Sequence, residues 1–347
     1  MQRVFITGST GLVGGHLLVQ LYLKGSRIKA LVRQQASFEQ LRLISDFYAV
    51  PFQELHRAIE WTYGDTLDYV HLKEALMGTE VVYHCAGLVS FGKGQRDALL
   101  RTNVKGTANM VDAALLAGVN HFNYISSIAA LGKESDTGLI DEETSREMSK
   151  PVSDYSESKF FAELEVWRGA AEGLPVSILN PGVILGPGLP DRGSLLIFNV
   201  AAKGIPFYTD SQTGYVDVRD IARAAITLVE KNLTGKRYVM VAENCHNKDL
   251  FALITNAFGK KPPRIRAGLG LLRIAVWISS LLSWFTGKPS QLSKDTLRSI
   301  AQPECYSSQP IIDELDFAFT PLQETINDTA LFVKNLPKVK QKRVSQK

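Results

Sequence analysis

The chain has 347 residues, 45% hydrophobic and 21% charged, with a formal net charge of +4. This is enough apolar material for a large core and two lobes. The charge excess is too small for a nucleic-acid-binding surface, because much of it sits in an acid-free tail at 334–347 (Lys334, Lys338, Lys340, Lys342, Arg343 and Lys347).

Cys85, Cys245 and Cys305 lack metal or redox spacing, and the six histidines are scattered. Reduced thiols, no metal site and a cytoplasmic setting are expected. With a strand beginning near residue 3, no leader peptide is expected.

In chain order, an apolar strand at 4–6 runs into Thr7-Gly8-x-x-Gly11-x-x-Gly14. A helix follows, with Leu12, Val13, Leu17, Leu18, Leu21 and Leu23 as its apolar positions, and then a second strand at 28–32. A strand, a glycine turn and a helix make the arrangement that grips a dinucleotide pyrophosphate. Gly8 permits the sharp turn, Gly11 the close approach of phosphate, and Gly14 the packing of helix near strand. The helix start directs amides and a favourable dipole at the anion. The second strand ends Leu31-Val32-Arg33-Gln34 without an acid. Arg33 is thus a candidate ligand for the 2′-phosphate of NADP, the other reading being a solvated arginine at a strand end.

Further strands are expected at 60–63, 80–84, 121–125 and 176–179. Helices are expected at 69–77, 96–116 and 155–171, with stops at Gly118 and Gly173. This alternation predicts an α/β fold, a doubly wound parallel sheet with its ligand at the carboxyl ends of the strands. Beyond Pro181-Gly182 the pattern loosens, with helices at 194–203, 221–230 and 249–258 and strands at 215–217 and 237–241. The expected division is a dinucleotide-binding domain at 1–180, rejoined by about 214–242, a smaller substrate lobe at 181–333, and the basic tail. The apolar run 268–285, interrupted by Arg273, Ser279, Ser280 and Ser283, is at the short limit for a membrane span. It reads as a buried or cleft-lining helix, or as an amphipathic helix touching a membrane or a greasy substrate with help from the tail.

Tyr155-Ser-Glu-Ser-Lys159 opens a helix and places the phenol and the ammonium on one face. An ammonium beside a phenol favours the phenolate, which suits proton exchange at neutral pH. Upstream, Ser126 and Ser127 follow an apolar strand, where a hydroxyl either reaches substrate or caps the next turn. Asn103 lies inside the long helix, available to backbone or water.

Over residues 1–260 these landmarks resemble the extended short-chain dehydrogenase/reductases. Gly64-Asp65, His84-Cys85-Ala86-Gly87, Asn180-Pro181-Gly182 and Tyr215-Val216-Asp217-Val218-Arg219-Asp220 add to the glycine turn and the Asn103, Ser127, Tyr155, Lys159 set. The resemblance implies that Tyr155 exchanges a proton with a carbonyl or alcohol oxygen and that Ser127, preferred over Ser126 for its distance from Gly132, holds that oxygen. It implies that Lys159 binds the nicotinamide ribose and lowers the pKa of Tyr155, and that Asn103 supports a relay water. The cofactor contacts that the resemblance and the glycine turn together imply are Thr7, Gly8, Thr10, Gly11, Leu12, Val13, Gly14, Arg33, Asp65, Thr66, Ala86, Gly87, Tyr155, Lys159, Pro181 and Val183.

Among the family's branches, Leu-Val-Arg and Val-Asp-Val-Arg-Asp resemble the dihydroflavonol reductases, and the apolar run would suit a 3β-hydroxysteroid dehydrogenase. The nucleotide-sugar branch often has an Arg where this chain has Thr213. The leading expectation is an NADP(H)-dependent oxidoreductase acting on an apolar or cyclic ketone, aldehyde or secondary alcohol, with NAD(H) as the other cofactor reading. The alternatives are a nucleotide-sugar epimerase or dehydratase with tightly bound NAD, and a non-catalytic cofactor-sensing protein. The resemblance also implies a homodimer through the helices bearing Asn103 and Tyr155, where Phe160, Phe161, Leu164 and Trp167 read as core or interface.

Overall fold

The computed structural model describes residues 2–90, 92, 94–132, 138–147, 152–268 and 303–336. The apolar run beyond Gly268 and the tail from 337 onward lie outside them. In chain order the strands are β1 (Arg3–Thr7), β2 (Arg27–Val32), β3 (Glu60–Tyr63), β4 (Val81–His84), β5 (His121–Ile125), β6 (Val176–Pro181), β7 (Val183–Leu185), β8 (Phe207–Tyr208), β9 (Gln212–Asp217), β10 (Lys236–Met240), β11 (Glu243–His246) and β12 (Ile265–Arg266).

The central sheet has seven strands in the order β10-β6-β5-β4-β1-β2-β3, every pair parallel. Parallel strands need both faces covered, and alternate residues supply the two faces. Val4 and Ile6 of β1 join Leu17, Leu18, Ile44 and Ile221 on one side. Phe5, with Phe122 and Tyr124 of β5, joins Leu72, Met110 and Val166 on the other. Each such fully buried Leu, Ile or Phe contributes about 1.5–3 kcal/mol. The chain runs outward from β1 to β3 on one side of β1 and resumes with β4 on the other, so the crevice opens beyond the carboxyl ends of β1 and β4, where their connections run to opposite faces of the sheet.

Several elements depart from the sequence expectation. Helices Glu39–Phe47 and Phe52–Ala58 fill the stretch between β2 and β3. Leu23, expected as an apolar position of the first helix, lies in its last turn and is 58% exposed. The long helix expected at 96–116 breaks into Arg96–Leu99, a π-helical turn Leu100–Lys105 and helix Gly106–Ala117, which ends at left-handed Gly118. After the run outside the described residues, the chain returns to both layers. Ile311, Leu315 and Phe317, expected in the second lobe, join the core under the central sheet. Leu322, Ile326 and Val333 of helix Leu322–Asn335 pack with Leu195, Phe198 and Tyr215. Lys334, expected in the tail, closes that helix and donates to the Ala257 carbonyl at 2.6 Å. Among the described residues no helix is long and apolar enough to cross a membrane.

Burial also sets an acid limit on stability. His16, held between Pro187 O (2.8 Å) and Tyr48 Oη (2.9 Å), is pushed down by burial to about 4, and buried His84 to about 3. The unfolded chain takes up protons near pH 6.5 that the native state refuses. This contribution is therefore complete above pH 6.5 and lost as the pH falls toward about 4, on the order of 3 kcal/mol for His16. The thermal midpoint should be level above pH 6.5 and fall below it, with a shallower fall in His16→Gln. A midpoint unchanged down to pH 4.5 would contradict this account.

Candidate active site

The glycine turn at the end of β1 is shaped for close backbone approach. Gly8 has φ of +69°, and a Cβ there would lie 2.7 Å from the Cys85 carbonyl and the Ala86 nitrogen. A Cβ at Gly14 would collide with the Gly8 carbonyl. The helix Leu12–Leu23 starts from Gly11 with no side-chain cap and no acid in its first turn. Its first N–H groups are thus left to a ligand, and the dipole favours an anion. Half-buried Thr10 stands in the turn, Leu12 packs against the cluster of Leu195, Phe198 and Tyr215, and Val13 packs with Val4, Ile6 and Leu17. An uncapped helix start behind a cradle that a Cβ would fill fits a dinucleotide pyrophosphate.

The predicted acid–base residues meet at the carboxyl ends of β4 and β5. Ser153 caps the helix Asp154–Ala171 by accepting from Ser156 N at 3.2 Å, and this places Tyr155 in the first turn. Tyr155 is 8% exposed and hydrogen-bonds the Ser127 side chain. Ser127 faces this site, whereas the Ser126 hydroxyl donates to Glu163 Oε2 at 2.7 Å. Lys159 Nζ donates to Ile125 O at 2.9 Å and to Tyr124 Oη at 3.4 Å. A Cβ at Gly87 would sit 3.5 Å from both Lys159 Nζ and Asn103 Oδ1, so this residue lies directly against both groups.

One expectation needs correction here. Lys159 was expected to lower Tyr155, but burial pushes the phenol upward, with the Ser127 hydrogen bond opposing it. Burial likewise pushes Lys159 down to about 8, against the pull of Glu163. Both groups lose water, and each resists its own charged form. Asn103 was expected to be available to backbone or to a relay water, and its side chain is engaged by Leu88 N (2.7 Å), Leu88 O (3.0 Å) and Ser158 Oγ (2.9 Å). It ties the loop after β4 to the Tyr155 helix from a π-helical turn, a local irregularity frequent at functional sites.

A buried polar chain runs beneath the crevice and was not legible in the sequence. Tyr124 hydrogen-bonds Thr107, which meets His84 Nε2 at 3.0 Å, and His84 Nδ1 meets Thr7 Oγ1 at 2.7 Å. Thr7 Oγ1 also accepts from Ala86 N at 3.1 Å. The Ala86 amide is thus engaged by the Thr7 hydroxyl inside the fold.

The other predicted residues are spread around the same crevice. Arg33 is exposed just beyond β2, and Asp65 is exposed beyond β3, its carboxylate accepting from Leu67 N at 3.0 Å. Buried Thr66 offers its carbonyl to Asn109 Nδ2 at 3.0 Å. Pro181 ends β6 and Val183 starts β7, which pairs with β9. The Tyr215 to Asp220 landmark is a structural clamp. Asp217 caps the helix Val218–Glu230 and pairs with Arg219, which also holds Asp328, while Asp220 holds Thr320. Thr213 lies in β9 opposite Cys245. Of the residues weighed as core or interface, Trp167 packs on the core and Leu164 is 46% exposed.

Residues 4–241 match the NAD dependent epimerase/dehydratase family. The chain is 27% identical over 337 residues to "Putative dihydroflavonol 4-reductase" of Synechocystis sp., covering 95% of this chain and 94% of that protein. It is 29% identical over 276 residues to "Sterol demethylase protein B" of Methylococcus capsulatus, covering 77% and 80%. The crystal structure of gox2253 superposes with a TM-score of 0.80 at 29% identity, over 96% of this chain and 98% of that one. With its doubly wound sheet and glycine turn, the chain belongs to the NAD-dependent epimerase/dehydratase family, the extended short-chain dehydrogenase/reductases, as an NAD(P)-dependent oxidoreductase.

Proposed function

We propose that the protein is an NADP(H)-dependent carbonyl reductase or alcohol dehydrogenase for an apolar or cyclic ketone, aldehyde or secondary alcohol. The observation that carries this reading is the buried Tyr155 phenol, hydrogen-bonded to Ser127 and one helical turn from Lys159. A phenol held protonated by burial is loaded to act as an acid, which suits reduction of a carbonyl. Ser127 orients the substrate oxygen. The glycine turn and the helix start at Leu12 hold the pyrophosphate, and Lys159 binds the ribose beside the nicotinamide. When bound, the nicotinamide supplies or accepts the hydride. The names of the two relatives favour a non-sugar substrate, and Thr213 stands where the nucleotide-sugar branch often has an arginine.

The NADP preference rests on Arg33, exposed at the end of β2 with no acid beside it in the sequence. Arg33→Glu should weaken NADPH binding by about 10–100-fold, the worth of a charge-assisted bond to phosphate, and leave NADH nearly unaffected. Fluorescence titration with both cofactors checks this, and equal or better binding of NADH by the wild type would refute the preference. The activity itself is tested by NADPH consumption across a panel of ketones and aldehydes, with alcohols in the reverse direction. Cofactor binding without turnover of any member would defeat the reading. Tightly retained NAD in the purified protein, seen by mass spectrometry with no net cofactor consumption, would favour an epimerase instead.

A further inference from the structure

We propose that Glu163 is a positioning residue for this acid–base site, holding the Ser127 backbone through Asn180 and standing as the counter-charge to the Lys159 ammonium. The inference rests on the functional reading above and concerns a residue that touches neither substrate nor cofactor.

Glu163 lies one turn beyond Lys159 on the helix Asp154–Ala171, with its side chain only 3% exposed. Its Oε2 accepts from Ser126 Oγ at 2.7 Å and from Asn180 Nδ2 at 2.8 Å, and its Oε1 accepts from Arg237 Nη1 at 3.0 Å. Asn180 Nδ2 donates a second time, to the Ser127 carbonyl at 3.0 Å. One carboxylate therefore pins the ends of β5, β6 and β10 to the helix that carries Tyr155 and Lys159. The Ser127 carbonyl is held by Asn180 while its side chain hydrogen-bonds Tyr155. Arg237 is fixed in turn by the Glu142 carbonyl, to which its Nε donates at 2.8 Å.

Stability alone is a weak reason for such an arrangement. A buried ion pair is often matched or bettered by well-packed apolar residues of similar volume. The location suggests what the charge does. Lys159 is faced by His84 and Cys85 from the end of β4, by Tyr124 from β5, and by Tyr155 and Glu163 from its own helix. Burial holds His84 neutral and pushes the Cys85 thiol up to about 12, so neither carries charge at neutral pH. Burial also keeps the Tyr124 and Tyr155 phenols protonated. Glu163 itself is faced by Arg237 from β10 and by Ser126 and Asn180 from β5 and β6. Among these neighbours Glu163 is the carboxylate that opposes the desolvation of Lys159.

The test compares Glu163→Gln, Asn180→Ala and Ser126→Ala with the wild type. It reads NADPH binding and kcat as functions of pH, with circular dichroism to check folding. In Glu163→Gln the alkaline limb of NADPH binding should move to lower pH by about half a unit or more, and kcat should fall about 10-fold. In Asn180→Ala the carboxylate remains but the Ser127 carbonyl loses its donor, so kcat should fall about 10-fold with the limb unmoved. Ser126→Ala, which removes one donor to Glu163 but leaves the Asn180 link intact, should lower kcat less than Asn180→Ala does, with the limb unmoved. A folded Glu163→Gln protein with the wild-type limb and kcat overturns the proposal. Should that variant not fold, a wild-type kcat in Asn180→Ala overturns it instead. If the wild type turns over no carbonyl, the functional reading fails, while the NADPH limb still decides the role of Glu163.

Discussion

Replacing Tyr155 by Phe should lower carbonyl reduction by about 10²–10⁴-fold, the range that general acid catalysis contributes, with NADPH affinity changed by less than about threefold. The ring is buried at the start of its helix and packs by its carbons, so the variant keeps its volume. Ser127 keeps the hydrogen bond it accepts from Ala129 N at 3.1 Å and the Asn180 contact to its carbonyl. What disappears is the hydroxyl proton, which burial otherwise retains at neutral pH. Initial rates with NADPH, together with fluorescence titration of the cofactor, separate the loss of chemistry from a loss of binding. Turnover within about threefold of wild type would mean that another group supplies the proton.

Gly14→Ala should damage the cofactor site nearly as much by a different route. The added methyl would strike the Gly8 carbonyl, and backbone cannot rotate away as a side chain can. The helix Leu12–Leu23 would have to lift from the turn, carrying its unpaired N–H groups off the pyrophosphate position. Overpacking of this kind costs about 1–3 kcal/mol, and the expected loss of NADPH affinity is about 10–100-fold. Gly15→Ala is the natural contrast. Its methyl would meet the tip of Ile44, a side chain at 2.7 Å that can turn aside, so binding should stay near wild type. Equal effects of the two substitutions would show that the contact with Gly8 is not what shapes the turn.

Much of this protein was written locally in its sequence. Short β-branched runs, glycine stops and helix periodicity specify β1 through β6, because strand and helix preference act over a few neighbouring residues. The same holds for the pyrophosphate turn, which needs only Gly8 and Gly14 at fixed spacing, and for Tyr155 and Lys159, whose shared face follows from four-residue spacing. The π-helical turn at Asn103 was hidden because no local signal separates it from the α-helix on either side. The clamp formed by Asp217 and Arg219 looked like a functional landmark until Asp328, more than a hundred residues away, was seen to complete it.

The tertiary structure decided the protonation environment. Whether Tyr155 stands raised or lowered depends on burial, and burial is set by chains that close over it from elsewhere in the fold. Ser127 faces Tyr155, and Ser126 faces Glu163, because Asn180 and Arg237 arrive from β6 and β10. His84 and Thr7, 77 residues apart, meet only once β1 and β4 are paired. Residue types and spacing can name the groups that do chemistry. Their charge states and orientations come from desolvation and from partners remote in the chain, and those exist only after folding.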